Sequence, residues 1–351
     1  MKSILRLLPL ASLLLIFSSC TRQTTPLSRT GFYFDTVIRI TLYDTHDESL
    51  LEGCFALAEA YENMLSRTRE GSDIWKLNHA RGNPVEVQAD TLTLLRAALD
   101  YAALTEGRVD PTIASVSALW DFSDPASGTL PSPGQLQEAL THVDYRRVRI
   151  LGRSVTLEDP AATIDLGFIA KGFIADRLRE YLTAREVNSA VINLGGNVLT
   201  IGTKPDGSPF QVGIQKPFAP EGTAALILPA ADLSLVSSGI YERYFEVEGR
   251  IYHHILDTGT GYPVENSLSA VTILSRSSME GDALSTSCFI LGLDEGMALI
   301  ESLGDTEAVF LTSDGSIHAT SGVTLPDQDC PLPGTGNAAG GIRPSPTLAP
   351  Q

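Results

Sequence analysis

Two stretches carry side chains that could do chemistry together. In Tyr252-His253-His254-Ile255-Leu256-Asp257 an imidazole precedes a carboxylate by three residues, and the glycine-rich Thr258-Gly259-Thr260-Gly261-Tyr262-Pro263 follows. A turn of that kind is polar and tight, so His254 and Asp257 are expected beside exposed backbone. In Gly281-Asp282-Ala283-Leu284-Ser285-Thr286 the apolar spacing that continues through Cys288, Phe289 and Leu291 predicts a helix starting at Asp282. Asp282 and Thr286 are then i and i+4 and share one face. A carboxylate and a hydroxyl are hard oxygen donors, suited to Mg²⁺ rather than zinc. Alone, neither stretch says much, because an Asp near a helix start is more often an N-cap than a metal ligand.

Other stretches could complete a site. Asp165-Leu166-Gly167-Phe168-Ile169-Ala170-Lys171-Gly172 reads as a glycine-containing turn entering a helix. Its backbone N–H groups and the charge of Lys171 suit an anionic phosphate, although the G-x-x-x-x-G-K-[ST] phosphate loop is absent. Asn193-Leu194-Gly195-Gly196-Asn197 serves equally as a plain hairpin turn or as a close approach of backbone to a ligand. Ser237-Ser238-Gly239-Ile240-Tyr241 presents hydroxyls or simply enters a strand.

The elements that must hold these groups read as a single α+β domain over residues 30–325, with mixed and antiparallel sheets and packed helices. Phe32, Phe34, Thr36, Ile38, Ile40 and Leu42 alternate over a strand-length run. Helices are expected over 48–68, 90–106, 282–291 and 294–303, Ser72-Asp73 caps a short segment through Asn78, and 165–185 reads as a short strand end running into a helix. Strands are expected as a hairpin over 148–157 and at 190–194, 198–202, 210–215, 224–228, 244–248, 251–255, 269–275, 308–312 and 317–320. Pro125 to Pro133 reads as a loop. The stretch 326–351, rich in Pro and Gly without periodicity, reads as a disordered tail.

Composition narrows the class. With 351 residues, 43% hydrophobic and 19% charged, the chain can bury a sizeable core. Its net charge of −17 repels phosphate backbones and anionic lipid, which excludes nucleic acid as a partner. An anionic small ligand would need a metal or a placed Lys. Lys2 and Arg6, the apolar run Leu7 to Phe17 and then Ser18-Ser19-Cys20 read as a secretory signal peptide over 1–19, too short to span a membrane comfortably. Small residues before Cys20 resemble a bacterial lipobox, which implies lipid on Cys20 and a tether over 20–29. The folded part would then sit outside the cytoplasm, held to a membrane and facing the periplasm. Cys54 and Cys288 fall on apolar helix faces and Cys330 in the tail, so no disulfide is required.

Taken in order, Ser66 to Asn78, Thr105 to Thr112, Leu119-Trp120-Asp121-Phe122, Asp165 to Gly172, Asn193 to Asn197, Val212 to Pro217, Ser237 to Tyr241, His253 to Pro263 and Asp282 to Thr286 resemble the ApbE family of FAD:protein FMN transferases. The resemblance covers nearly all of residues 30–325. It implies a T-fold-related domain, a periplasmic lipoprotein and a Mg²⁺ site held by the Phe168 carbonyl, Asp282 and Thr286. Ser285 stands where some members have a further acidic ligand. The resemblance also implies FAD contacts at Arg108, Val109, Asp110, Asp165, Lys171 and Leu256, with Phe34 and Thr68 on the flavin side. Thr68 replaces a Tyr often found there, and Thr258 replaces the usual Pro after Asp257.

The implied chemistry follows from charge. An acidic protein holds the pyrophosphate of FAD only if it is neutralised, which Mg²⁺ and Lys171 would do. A Thr or Ser hydroxyl of an acceptor flavoprotein would attack the FMN-side phosphorus and release AMP. By resemblance the acceptor is a subunit of a membrane electron-transport complex or a secreted flavoprotein. His254, whose ordinary pKa lies near neutrality, is the candidate base, with Asp257 orienting it or binding metal-linked water. Two other functions draw on the same residues: a Mg²⁺-dependent FAD pyrophosphatase, with water as nucleophile, and a non-catalytic flavin-binding lipoprotein.

Overall fold

A computed structural model describes residues 25–122 and 128–325. The expected signal peptide over 1–19, the lipidated Cys20 and the tail over 326–351 with Cys330 lie outside the described residues.

The described residues open on a hairpin, β1 (Leu27–Tyr33) and β2 (Thr36–Leu42). The tether expected over 20–29 therefore gives way to a strand by Leu27. The alternating run from Phe32 is broken at the hairpin tip, where Phe34 and Asp35 are both left-handed (φ 54° and 56°). Next come α1 (Glu48–Leu65), α2 (Asp73–His79), the short strand β3 (Val85–Glu86), α3 (Ala89–Leu104) and α4 (Ala114–Ser117). No helix is expected after Pro133, because two turns are too short for periodicity to register. Yet α5 (Pro133–Leu140) forms there, started by a capping box between Ser132 and Gln135 with Pro in the first turn. The hairpin β4 (Val148–Leu151) and β5 (Ser154–Leu157) leads to α6 (Ala170–Thr183). Strands β6 (Ser189–Leu194), β7 (Asn197–Gly202), β8 (Phe210–Gln215), β9 (Ala224–Ala230), β10 (Ser234–Gly239), β11 (Tyr244–Val247), β12 (Arg250–His253) and β13 (Leu268–Ser275) follow. The described chain closes with α7 (Ser278–Leu291), α8 (Leu293–Leu303), β14 (Glu307–Thr312) and β15 (Ile317–Ala319).

Eight strands form one antiparallel sheet in the order β1-β2-β6-β7-β10-β13-β14-β15. Alternation decides which face meets the helices. β2 buries Ile38, Ile40 and Leu42 against Cys54, Phe55 and Ala58 of α1 and Phe173 and Ile174 of α6, while Val37 and Arg39 stay exposed. A one-residue slip would turn all three aliphatic side chains to solvent, at about 1.5–3 kcal/mol each, so the register is firmly set. Further along, Val271 and Ile273 of β13 pack on Leu284 and Cys288 of α7 and Ile300 of α8. The opposite face of β10, β13 and β14 is covered by the β8–β9 ribbon through Val212, Ile214, Leu226 and Leu228. Cys54 and Cys288 are both free and buried, and burial pushes each thiol up to about 12.

Candidate active site

Helices α6 and α7 meet at their N-termini and cap each other. α6 follows Ile169, whose side chain offers no cap, and its Gly172 N–H donates to Asp282 Oδ2 on α7 at 2.9 Å. In return, the Ser278 and Met279 N–H groups of α7 donate to the Asp176 carboxylate on α6, each at 3.0 Å. Each helix thus supplies acceptors for N–H groups its neighbour cannot satisfy internally. α7 starts at Ser278 rather than at the expected Asp282. Asp282 therefore lies in the second turn, 3% exposed, and serves as a cap for a helix other than its own. The crossing is this close because residue 172 has no side chain. A Cβ there would sit 2.1 Å from Ser278 O and 2.7 Å from Asp282 Cβ.

The Phe168 carbonyl, two residues before α6 begins, accepts no hydrogen bond among the described residues. Asp282 Oδ1 has Lys171 Nζ at 3.7 Å, and Lys171 also reaches Gly167 O at 3.5 Å. Thr286, one turn on from Asp282, is half-buried with its Oγ1 3.1 Å from Ser238 Oγ. Ser285 is fully buried, its hydroxyl engaged by Ser238 at 2.8 Å and the Asp282 carbonyl at 2.9 Å. A carbonyl from the turn entering α6, and a carboxylate and a hydroxyl from the second and third turns of α7, make a donor set that fits a hard divalent cation. Among the described residues no group of three or more His, Cys, Asp or Glu offers another metal centre.

The imidazole arrives from a separate ribbon. β11 and β12 pair with Tyr244 opposite His253, which places Arg243 opposite His254 just past the ladder. The His254 N–H donates to Arg243 O at 3.1 Å, and Nδ1 lies 3.3 Å from the same oxygen. A carbonyl only accepts, so Nδ1 carries the proton and Nε2 keeps its lone pair free. Burial, then the positive charge of Arg243, the neighbouring His253 and Lys171, lowers His254 to about 3. The ribbon is held by aromatic stacking. Phe245 and Tyr252 lie 5.6 Å apart, Trp120 stacks on Tyr252 at 5.9 Å, and Trp120 Nε1 donates to Gly261 O at 3.0 Å. The Leu119-Trp120-Asp121-Phe122 stretch is thereby a buttress for the ribbon.

Beside Arg243, the Glu242 side chain reaches solvent, yet the surrounding protein raises its carboxyl to about 7, a shift that Lys171 opposes and Asp282 reinforces. A Cβ on Gly196 would lie 3.4 Å from Glu242 Oε1, and Arg243 Nη2 lies 3.5 Å from Asp35 O, so the β6–β7 turn, the β1–β2 tip and the His254 ribbon border one cleft. Glu242 and Arg243 are not singled out by sequence reasoning. The available signal was hairpin register, since pairing strands outward from Glu248-Gly249 sets residue 243 opposite 254.

The remaining expected site residues fall around this cleft. Asp257 does not reach the imidazole. Its Oδ1 accepts from Gly259 N at 2.5 Å and Thr260 N at 3.2 Å, closing its own turn, and the Arg243 carbonyl orients His254 instead. Leu256 is buried and bridged to Pro263. Thr258 Oγ1 donates to Gly107 O at 2.9 Å, joining this turn to the Arg108–Asp110 loop. There Arg108 pairs with Glu295 at 2.8 Å and Val109 is buried. Asp110 accepts from Thr112 N, Thr112 Oγ1 and Tyr145 N, so its carboxylate is committed to the fold, and burial raises its pKa. A cavity of about 350 Å³ opens beside this loop, walled by Glu106, Gly107, Tyr145 and Thr258.

Asp165 donates its N–H to Pro111 O at 2.8 Å, accepts from Gly167 N at 2.7 Å and pairs with Arg67 at 3.4 Å. This brings the exposed loop holding Thr68 alongside. Phe34 N–H donates to Glu62 Oε1 at 2.8 Å, and Asp35 O lies 3.5 Å from Arg243 Nη2, so the β1–β2 tip meets the His254 ribbon. Gly195 and Gly196, both at positive φ, form the β6–β7 turn. A Cβ on the first would lie 2.2 Å from Thr36 Oγ1, and one on the second 3.4 Å from Glu242 Oε1. The pair is a hairpin turn pressed between the β1–β2 tip and the cleft.

Known proteins resemble this chain in sequence and in fold. The sequence profile of the ApbE family matches residues 34–310. A Treponema pallidum protein named FAD:protein FMN transferase is 33% identical over 316 residues, covering 84% of this chain and 87% of its own. A Klebsiella pneumoniae protein of the same name is 36% identical over 288 residues, covering 81% and 88%. The crystal structure of the ApbE protein of Thermotoga maritima superposes with a TM-score of 0.78 at 30% identity, covering 85% of this chain and 97% of that one. The flavin transferase ApbE of Vibrio cholerae does so with a TM-score of 0.75 at 26% identity over the same shares.

Proposed function

The chain belongs to the ApbE family, and from that premise we propose that it is a Mg²⁺-dependent enzyme that moves FMN from FAD to a Thr or Ser hydroxyl of an acceptor flavoprotein, releasing AMP. FAD:protein FMN transfer is the activity carried by its curated relatives, which makes the chain a transferase. The observation that carries the finer reading is the Asp282 carboxylate, bonded to the Gly172 N–H at 2.9 Å with Lys171 Nζ at 3.7 Å. It joins a hard-oxygen donor set to the N-terminus of α6, where an anionic diphosphate is favoured.

The Phe168 carbonyl, Asp282 and Thr286 would hold the cation. When bound, it would offset phosphate charge that a protein of net charge −17 otherwise repels. Lys171 adds a positive charge at the same place. The acceptor hydroxyl oxygen forms a bond to the FMN-side phosphorus, and the bond from that phosphorus to the AMP-side oxygen breaks. His254 Nε2, left free by the Nδ1 contact to Arg243 O, takes the hydroxyl proton. A diphosphate in the cleft counters the charges of Lys171 and Arg243 that depress His254, so substrate binding raises the basicity of the imidazole. Asp257 shapes the turn behind it.

We further infer that a lipid on Cys20 tethers the domain to a membrane outside the cytoplasm. The acceptor would be a membrane electron-transport subunit or a secreted flavoprotein there. The leader and lipobox-like residues support this reading. Mass spectrometry of such a flavoprotein co-expressed with the chain tests the function. The expected result is added FMN on a Ser or Thr peptide, with AMP formed in equal amount when purified components, FAD and Mg²⁺ are combined. Free FMN with no modified peptide, at the same rate with or without acceptor, would identify a hydrolase instead.

A further inference from the structure

We propose that Arg243 grips the phosphate of the flavin nucleotide next to His254, holding in line the phosphorus that the acceptor hydroxyl attacks. This rests on the transferase reading above and adds to it a residue outside the expected binding set. Two other cations of the cleft are already paired, Lys171 with Asp282 at 3.7 Å and Arg67 with Asp165 at 3.4 Å. Arg243 makes no ion pair among the described residues. Its side chain is exposed, and the one hydrogen bond it makes there is long, 3.5 Å from Nη2 to Asp35 O. That contact sets the guanidinium between the β1–β2 tip and the ribbon end that carries His254.

Register ties this group to the base. Residue 243 stands opposite residue 254 at the end of the β11–β12 ladder, and the Arg243 carbonyl holds the imidazole. Guanidinium and Nε2 are therefore carried on one ribbon end, braced by the Trp120, Phe245 and Tyr252 rings. A guanidinium fork engages two phosphate oxygens at once, which a point-charged ammonium does not. In an acidic chain, an unpaired fork beside the base is matched to a phosphate ester.

FMN and riboflavin differ only in the phosphate, so their relative affinities isolate this contact. The full folded domain, as wild type, Arg243→Ala and Arg243→Lys, is titrated with each flavin by fluorescence quenching at low and moderate salt. Loss of one charge-assisted contact should lower the FMN-to-riboflavin affinity ratio of Arg243→Ala about tenfold or more. Riboflavin affinity should stay at the wild-type value, which also reports an intact fold. Arg243→Lys should keep part of the ratio and lose it as salt rises. An unchanged ratio in Arg243→Ala overturns the proposal while leaving the transferase reading standing. Equal weakening of both flavins also overturns it, assigning Arg243 to support of the β1–β2 tip. Wild-type protein that binds neither flavin nor FAD overturns the transferase reading and this one with it.

Discussion

Replacing Asp282 separates two roles that one carboxylate fills. Its Oδ2 accepts the Gly172 N–H of α6 at 2.9 Å, and its charge faces Lys171 at 3.7 Å in a site read as binding a cation. Asp282→Ala removes both functions and leaves a buried N–H without a partner, at a cost of about 1–3 kcal/mol. At roughly 2–4 °C per kcal/mol for a domain near this size, the melting temperature should fall by about 2–12 °C. Asp282→Asn keeps a carbonyl oxygen for Gly172 and removes only the charge. Without divalent cation it should melt close to wild type. With Mg²⁺ at about a hundred times its dissociation constant, wild type should gain about 2.7 kcal/mol, and Asp282→Asn should gain almost none. Thermal melts with and without Mg²⁺, beside an FMN-transfer assay, read both effects. An Asp282→Asn protein that keeps the full Mg²⁺ shift and transfers FMN at the wild-type rate refutes the cation assignment. An Asp282→Ala protein as stable as Asp282→Asn refutes the cross-helix cap.

His254→Ala should slow transfer by about 10²–10⁴-fold while FAD binding, followed by flavin fluorescence, is retained; an undiminished rate removes His254 from the base role. Gly172→Ala would drive a methyl to 2.1 Å from Ser278 O, so it should part α6 from α7, cost about 1–3 kcal/mol and abolish the Mg²⁺ shift along with Asp282 placement. An unchanged melting temperature would contradict that packing. His253 is buried, its Nε2 3.1 Å from Val264 O and its Nδ1 accepting from Ile255 N at 3.3 Å, and burial lowers it to about 4. The unfolded chain binds that proton near pH 6.5 and the folded chain only near 4, so this stability is fully present above about pH 6.5 and is lost as pH falls toward 4, by up to about 3 kcal/mol. Denaturant melts at pH 7 and pH 5 should show a smaller difference for His253→Gln than for wild type, and an equal difference would exclude His253 as the source.

Much of the architecture was legible in the order of residues. The alternation of Ile38, Ile40 and Leu42 reports one buried face of β2, and the spacing of Leu51, Phe55 and Ala58 one face of α1. The i, i+4 relation of Asp282 and Thr286 is a property of any helix through them, and it survives the earlier start of α7 at Ser278. α5 is written in the sequence as a cap, Ser132 with Gln135, rather than as a period. Adjacency in sequence suggests that Asp257 orients His254 or binds metal-linked water. In the folded turn its carboxylate is drawn to the nearer Gly259 and Thr260 N–H groups.

From the sequence alone came the fold class, the family and the residue types able to take part: two hard-oxygen donors on one helix face, a lysine at a helix entry, and an imidazole before a glycine-rich turn. Those follow from local geometry, where a period of two or 3.6 residues is written directly into the chain. Only the tertiary structure decided that Asp282 caps α6 through Gly172, 110 residues earlier, that the Phe168 carbonyl beside it accepts no hydrogen bond among the described residues, and that a backbone oxygen of Arg243 sets the tautomer of His254. Which faces meet is settled by burial across the whole sheet. A hydrogen bond between distant segments exists only after that burial has brought them together.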